Sequence, residues 1–240
     1  MNWEPWTGCY PQSIGCTYCY FYGKYSKRYG QNQIVKTPDF NKPVALQKNN
    51  QPKIASGKIV ATCFGTDFFL PEADPWRKDA WEMIRQRPDL DFLILTKRID
   101  RFEVSLPTDW GEGYTNVNLG VSVENQTLAD LRLPQFLSLP IKRRFVACTP
   151  LLGPIDLTAY IDQIDHVSVG GETGKEAREC NLDWILALRQ QCLDHEKTFW
   201  FKNTGSRFRC DGVLQKVNPY KQSSLAKSMN LNLLGETPLF

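Results

Sequence analysis

Cys9, Cys16 and Cys19 stand close together near the start of the chain, in the stretch WTGCYPQSIGCTYCY. The C-x2-C pair can chelate one metal centre, and the thiol six residues upstream supplies a third ligand from a preceding loop. Structural zinc wants four ligands. The nearest further cysteine is Cys63, and the two histidines, His166 and His195, lie far along the chain. Zinc therefore needs a distant fourth ligand, whereas a 4Fe-4S cluster held by three thiolates keeps one iron open, as catalytic metals keep an open position. Three inert buried cysteines are the remaining alternative.

Such a loop needs a scaffold, and the pattern from Lys58 onward predicts one. KIVATCF, DFLILTK, NVNLGVSVEN, RRFVACTP, DHVSVGGE and KTFWFKN are short apolar runs with the length of strands buried on both faces. Segments with helical spacing lie between them. In DPWRKDAWEMIRQRPD, Asp74 is the expected N-cap, with Ala80, Met83, Ile84 and Arg87 continuing the pattern; in LDWILALRQQCLDH, Ile185, Leu188 and Cys192 share one face. Alternating strands and helices imply a parallel sheet. The expected fold is α/β, a full or partial (β/α) barrel of parallel strands with an N-terminal iron-sulfur loop. The expected organisation is one domain over 1–240, with a cluster-binding segment at 1–30, βα repeats at 58–205 and a C-terminal extension at 213–240. No G-x-G-x-x-G follows a strand, which argues against a dinucleotide fold.

Parallel barrels place ligands at the C-terminal ends of their strands. Lys97 and Arg98 follow one such run and match a carboxylate or phosphate. Ser122 and Glu124 alternate along another, so both point the same way. Gly170, Gly171 and Glu172 read either as a close backbone approach to a ligand with Glu172 as a polar contact, or as a plain turn. Lys202 reads as a lysine snorkelling from a strand end. Groups on a wet ligand face contribute little to folding, so alanine at Asp67, Lys97 or Glu124 is expected to cost no more than about 0.5 kcal/mol.

The opening resembles the superfamily of radical S-adenosylmethionine enzymes, in which three cysteines, usually spaced C-x3-C-x-aromatic-C, hold a 4Fe-4S cluster whose open iron chelates S-adenosylmethionine. Tyr18 occupies the aromatic place, and the first interval is six residues instead of three. The stretches WEPWTGC, GCTYCY, LTKR, LGVSVENQ, TPLLGPIDL, VGGETG and FKNTG are similar to those of a phage and bacterial family with this expanded motif. The resemblance implies a 5'-deoxyadenosyl radical acting on a substrate, and an external one-electron donor such as a flavodoxin or ferredoxin. It places Gly65, Thr66 and Asp67 where the superfamily carries a glycine-glycine-glutamate turn for the methionine amino group. It also places Ser122 and Glu124 where ribose or carboxylate contacts are made.

Composition narrows the remaining options. Of the 240 residues 42% are hydrophobic, no run is long enough to span a membrane, and no export signal precedes the cysteines, so a cytoplasmic protein is expected. A net charge of +3 does not by itself imply nucleic acid. Clustering matters more: Lys24, Lys27 and Arg28 lie among Trp3, Trp6, Tyr10, Tyr18, Tyr20, Phe21 and Tyr22. That mixture supports a nucleotide or nucleic-acid substrate, or, as the alternative to an enzyme, a nucleic-acid-binding module stapled by zinc or iron-sulfur. Packing of the rings around the cluster is the competing reading.

Overall fold

The computed structural model describes residues 1–21, 33–104 and 106–234. Its centre is a seven-stranded, wholly parallel sheet curled into a half-barrel. The six apolar runs form six of its strands: β4 (Ile59–Thr62), β5 (Asp91–Thr96), β6 (Val117–Ser122), β7 (Arg143–Cys148), β8 (His166–Gly170) and β10 (Thr198–Asn203). The seventh, β1 (Asn2–Trp3), is only two residues long and pairs with β4 at the sheet edge. The barrel is thus partial. Between the cysteine loop and β4, β3 (Val35–Lys36) pairs antiparallel with β2 (Trp6–Thr7).

Side chains alternate across this sheet and divide its two faces. Val60, Phe92, Ile94, Leu119, Val121, Val146, Val167 and Phe199 point outward into the core beneath the helices. Ala61, Leu95, Ser122, Ala147, Ser168 and Trp200 point inward and line a cavity. Helix α1 (Asp74–Arg85) buries Ala80, Trp81, Met83 and Ile84. Arg87 lies beyond its end, where it ties the turn to Ile54 O at 2.8 Å and to Asp89. Asp74 is not the N-cap. A 3-10 turn over Pro71–Ala73 runs into the helix, and the Asp74 carboxylate instead accepts from Arg77 (2.5 Å) and Arg101 (2.7 Å).

Helix α2 (Gln126–Ser138) is capped by Asn125, which accepts from Leu128 N at 3.0 Å. Helix α3 (Leu182–Asp194) is capped by Asn181 and buries Ile185, Leu188 and Cys192, as its spacing predicts. Past β10 the chain forms strands the sequence pattern does not announce. A second sheet joins β9 (Cys180–Asn181), β11 (Arg207–Cys210) and β12 (Val213–Lys216), with β11 and β12 antiparallel. After helix α4 (Gln222–Ser228), Leu233 pairs with Phe199 and covers the free edge of β10. Among the described residues no helix is long and apolar enough to cross a membrane.

Candidate functional site

At the C-terminal ends of the strands the inner face opens into a cavity of about 490 Å³. Cys9, Cys16 and Cys19 all line it. So do Gly65, Thr66, Asp67, Lys97, Ser122 and Glu172. Glu124 does not: it lies fully buried beneath the cysteine loop. The topology therefore brings the three thiols and the expected strand-end residues together, with one displaced into the protein.

What these residues touch departs from the expectation of a wet ligand face. Asp67 is 3% exposed, and its carboxylate accepts from Phe69 N (2.9 Å), Thr96 Oγ1 (2.7 Å), Lys97 N (2.9 Å) and Arg98 Nη1 (3.1 Å). Arg98 in turn donates to Tyr10 O at 2.8 Å and stacks 4.5 Å above the Tyr10 ring. Glu124 accepts from Ser13 Oγ (2.6 Å), from Lys97 Nζ and from Arg132 Nη1 (3.1 Å). Glu172 is held by Arg178, whose guanidinium also reaches Ile14 O (3.0 Å) and covers the Tyr18 ring at 5.3 Å. Thr66 Oγ1 donates to Gly8 O. The strand-end polar side chains thus hold the loop at Gly8, Tyr10, Ser13 and Ile14, on either side of Cys9 and Cys16. Lys97 and Arg98, expected to face a ligand anion, are both paired within the protein.

Glycine makes two of these approaches possible. A Cβ on Gly15 would lie 2.4 Å from Glu124 Oε1, so the loop rests directly on that carboxylate. A Cβ on Gly171 would lie 2.3 Å from the Thr204 carbonyl, so the Gly170–Gly171 pair serves the crossing of the β8 and β10 ends.

Cys9 is pushed up to about 11, chiefly by burial, then by the negative charge of Asp67, with Arg98 opposing and Cys16 and Cys19 adding to the rise. Three thiolates on one cavity would need a positive centre to stay ionised, so the chemistry of the donor set fits a cationic metal group. Among the described residues no three of His, Cys, Asp and Glu already stand in metal-holding positions. Cys63 lines the same cavity, is fully buried, and burial pushes its thiol well up. All eight cysteines are free of disulfides.

The proposed base-stacking aromatics divide. Trp3 and Trp6 are fully buried and donate to carbonyls of residues 39, 40 and 67, so they belong to the core. Tyr18 and Tyr20 are partly exposed, and Tyr20 Oη donates to Phe64 O at 2.8 Å. Tyr22, Lys24, Lys27 and Arg28 lie outside the described residues.

One site residue carries no sequence signal beyond its place after β1. Glu4 accepts from Gly65 N at 2.9 Å, and burial raises its carboxyl to about 7 despite that bond. Between about 4.5 and 7 the folded chain holds a proton that the unfolded chain has lost, so this group makes stability fall as pH rises through that window. His166 works in the opposite sense: burial holds it down to about 4, so its contribution is lost as pH falls. Comparison with Glu4→Gln isolates the carboxyl. Wild type should lose on the order of 2 kcal/mol relative to the variant between these pH values, read from denaturant melts. Parallel stability curves would show that Glu4 titrates normally.

No curated protein and no solved structure matches the chain. A family model described as a protein of unknown function (DUF5131) matches residues 1–230, and the chain belongs to that family.

Proposed function

We propose that the chain is a radical S-adenosylmethionine enzyme whose Cys9, Cys16 and Cys19 hold a 4Fe-4S cluster. When bound, that cluster and S-adenosylmethionine supply a 5'-deoxyadenosyl radical that takes a hydrogen atom from the substrate. The observation carrying this reading is that Cys9, Cys16 and Cys19 line one cavity at the ligand-binding end of a parallel half-barrel. The chain's own residues supply position and shelter. Asp67 and Arg98 fix the backbone beside Cys9, while Glu124, Ser13 and Gly15 fix it beside Cys16. With Asp67, Glu172 and Lys97 paired within the protein, the backbone carbonyls of Gly65 and Thr66, with Ser122, remain to contact the cofactor. Reduction requires an external one-electron donor such as a flavodoxin or ferredoxin.

Cys63 favours a second reading. Its presence on the same cavity supplies a fourth thiol, and four thiols suit structural zinc. Metal analysis after anaerobic purification separates the two. The first reading expects brown protein with iron and sulfide, retained in Cys63→Ser; colourless protein with one zinc per chain, lost in Cys63→Ser, would replace it.

A further inference from the structure

Among the described residues three cations line the cavity: Lys97, Arg98 and Lys202. The first is paired with Glu124 and the second with Asp67. Lys202 has no hydrogen-bond or ion-pair partner among the described residues. It stands at the C-terminal end of β10, reached by solvent through the mouth, and desolvation by the surrounding protein lowers its pKa. Its neighbour on the inner face is Trp200, half-buried and lining the same cavity.

We infer that Trp200 and Lys202 form a nucleotide subsite, with the base stacked on the indole and the phosphate on the ammonium. This rests on the radical reading and names its substrate class. Both residues line the cavity, Lys202 at a β-bulge between Phe201 and Asn203 that ends the strict alternation of β10, and two residues of strand separate them by at most about 7 Å. That span is comparable to the distance between the base and the 5'-phosphate of a single nucleotide. Stacking on an aromatic ring accepts any base, and an ammonium accepts a phosphate as a point charge. Trp200 lies deeper and Lys202 nearer the mouth, so the phosphate faces outward, and either a free nucleotide or a residue of a polynucleotide presents the same chemistry. The β10 wall is a different strand from β4 and β5, whose ends hold the cysteine loop.

Equilibrium dialysis of the full chain with UMP and CMP, which lack the adenine of S-adenosylmethionine, tests the subsite. Lys202→Gln should weaken both at least tenfold, Lys202→Arg should recover most of the loss, and uridine, which lacks the phosphate, should bind wild type and Lys202→Gln alike. Trp200→Ala should weaken uridine and UMP together. A ten-residue oligouridylate that binds more tightly than UMP, with stronger salt dependence, assigns the subsite to a polynucleotide; one that binds no better assigns it to the free nucleotide. Equal UMP affinity in wild type and Lys202→Gln, or no binding of any of these ligands, overturns the inference. Binding is read without reductant, so failure of the subsite and failure of the radical chemistry are separate results.

Discussion

Cys16→Ala and Cys19→Ala should each yield a folded protein that holds no cluster. Two thiolates do not retain a cubane against loss of iron, and either variant leaves only two. The fold should survive because the loop is held by other groups: Arg98 on Tyr10 O, Ser13 on Glu124, and Arg178 on Ile14 O. Cys16 also gives up little by way of contacts, since its sulfur makes two long ones, with Gln12 N at 3.4 Å and Ser13 Oγ at 4.0 Å. Iron and sulfide per chain, measured beside a thermal melt, check both halves. A full cluster in either variant would remove Cys9, Cys16 and Cys19 as the ligand set.

Glu124→Ala should be among the most damaging single changes in the molecule. The carboxylate is fully buried and is the shared partner of Lys97, Arg132 and Ser13. Its removal leaves buried positive charge uncompensated, which costs about 3–5 kcal/mol. In a chain of this size that lowers the melting temperature by about 6–10 °C. The same change frees the loop at Ser13, next to Cys16, so cluster retention should fall with stability. Glu124→Gln keeps the shape and one acceptor and should lie between. A melting temperature within a degree of wild type for the alanine variant would restore the wet ligand face and remove the loop-holding role.

That contrast marks where the sequence is legible. The six long strands are visible because burial on both faces writes them as continuous apolar runs, and the cysteine loop is visible because ligand spacing is local. Helix α3 keeps its predicted face because Ile185, Leu188 and Cys192 obey one period. The roles of Asp67, Glu124 and Glu172 are hidden because their partners are remote: Ser13 lies 111 residues from Glu124, and Ile14 lies 164 residues from Arg178. No local pattern records such pairs. Strand β1 is two residues long, too short for any period, and β12 is fully exposed, so neither leaves a hydrophobic signature. Lys97, Arg98 and Lys202 all stand at strand ends, and only the distribution of nearby carboxylates distinguishes the two paired cations from Lys202, which has no such partner among the described residues.

The account turns on whether this loop drives cofactor cleavage. The direct measurement is 5'-deoxyadenosine and methionine formed from S-adenosylmethionine by the anaerobically reconstituted chain after reduction. The account predicts both products in equal amounts from wild type and neither from Cys16→Ala. A preparation with full iron and sulfide and bound S-adenosylmethionine that forms no 5'-deoxyadenosine on reduction would contradict it.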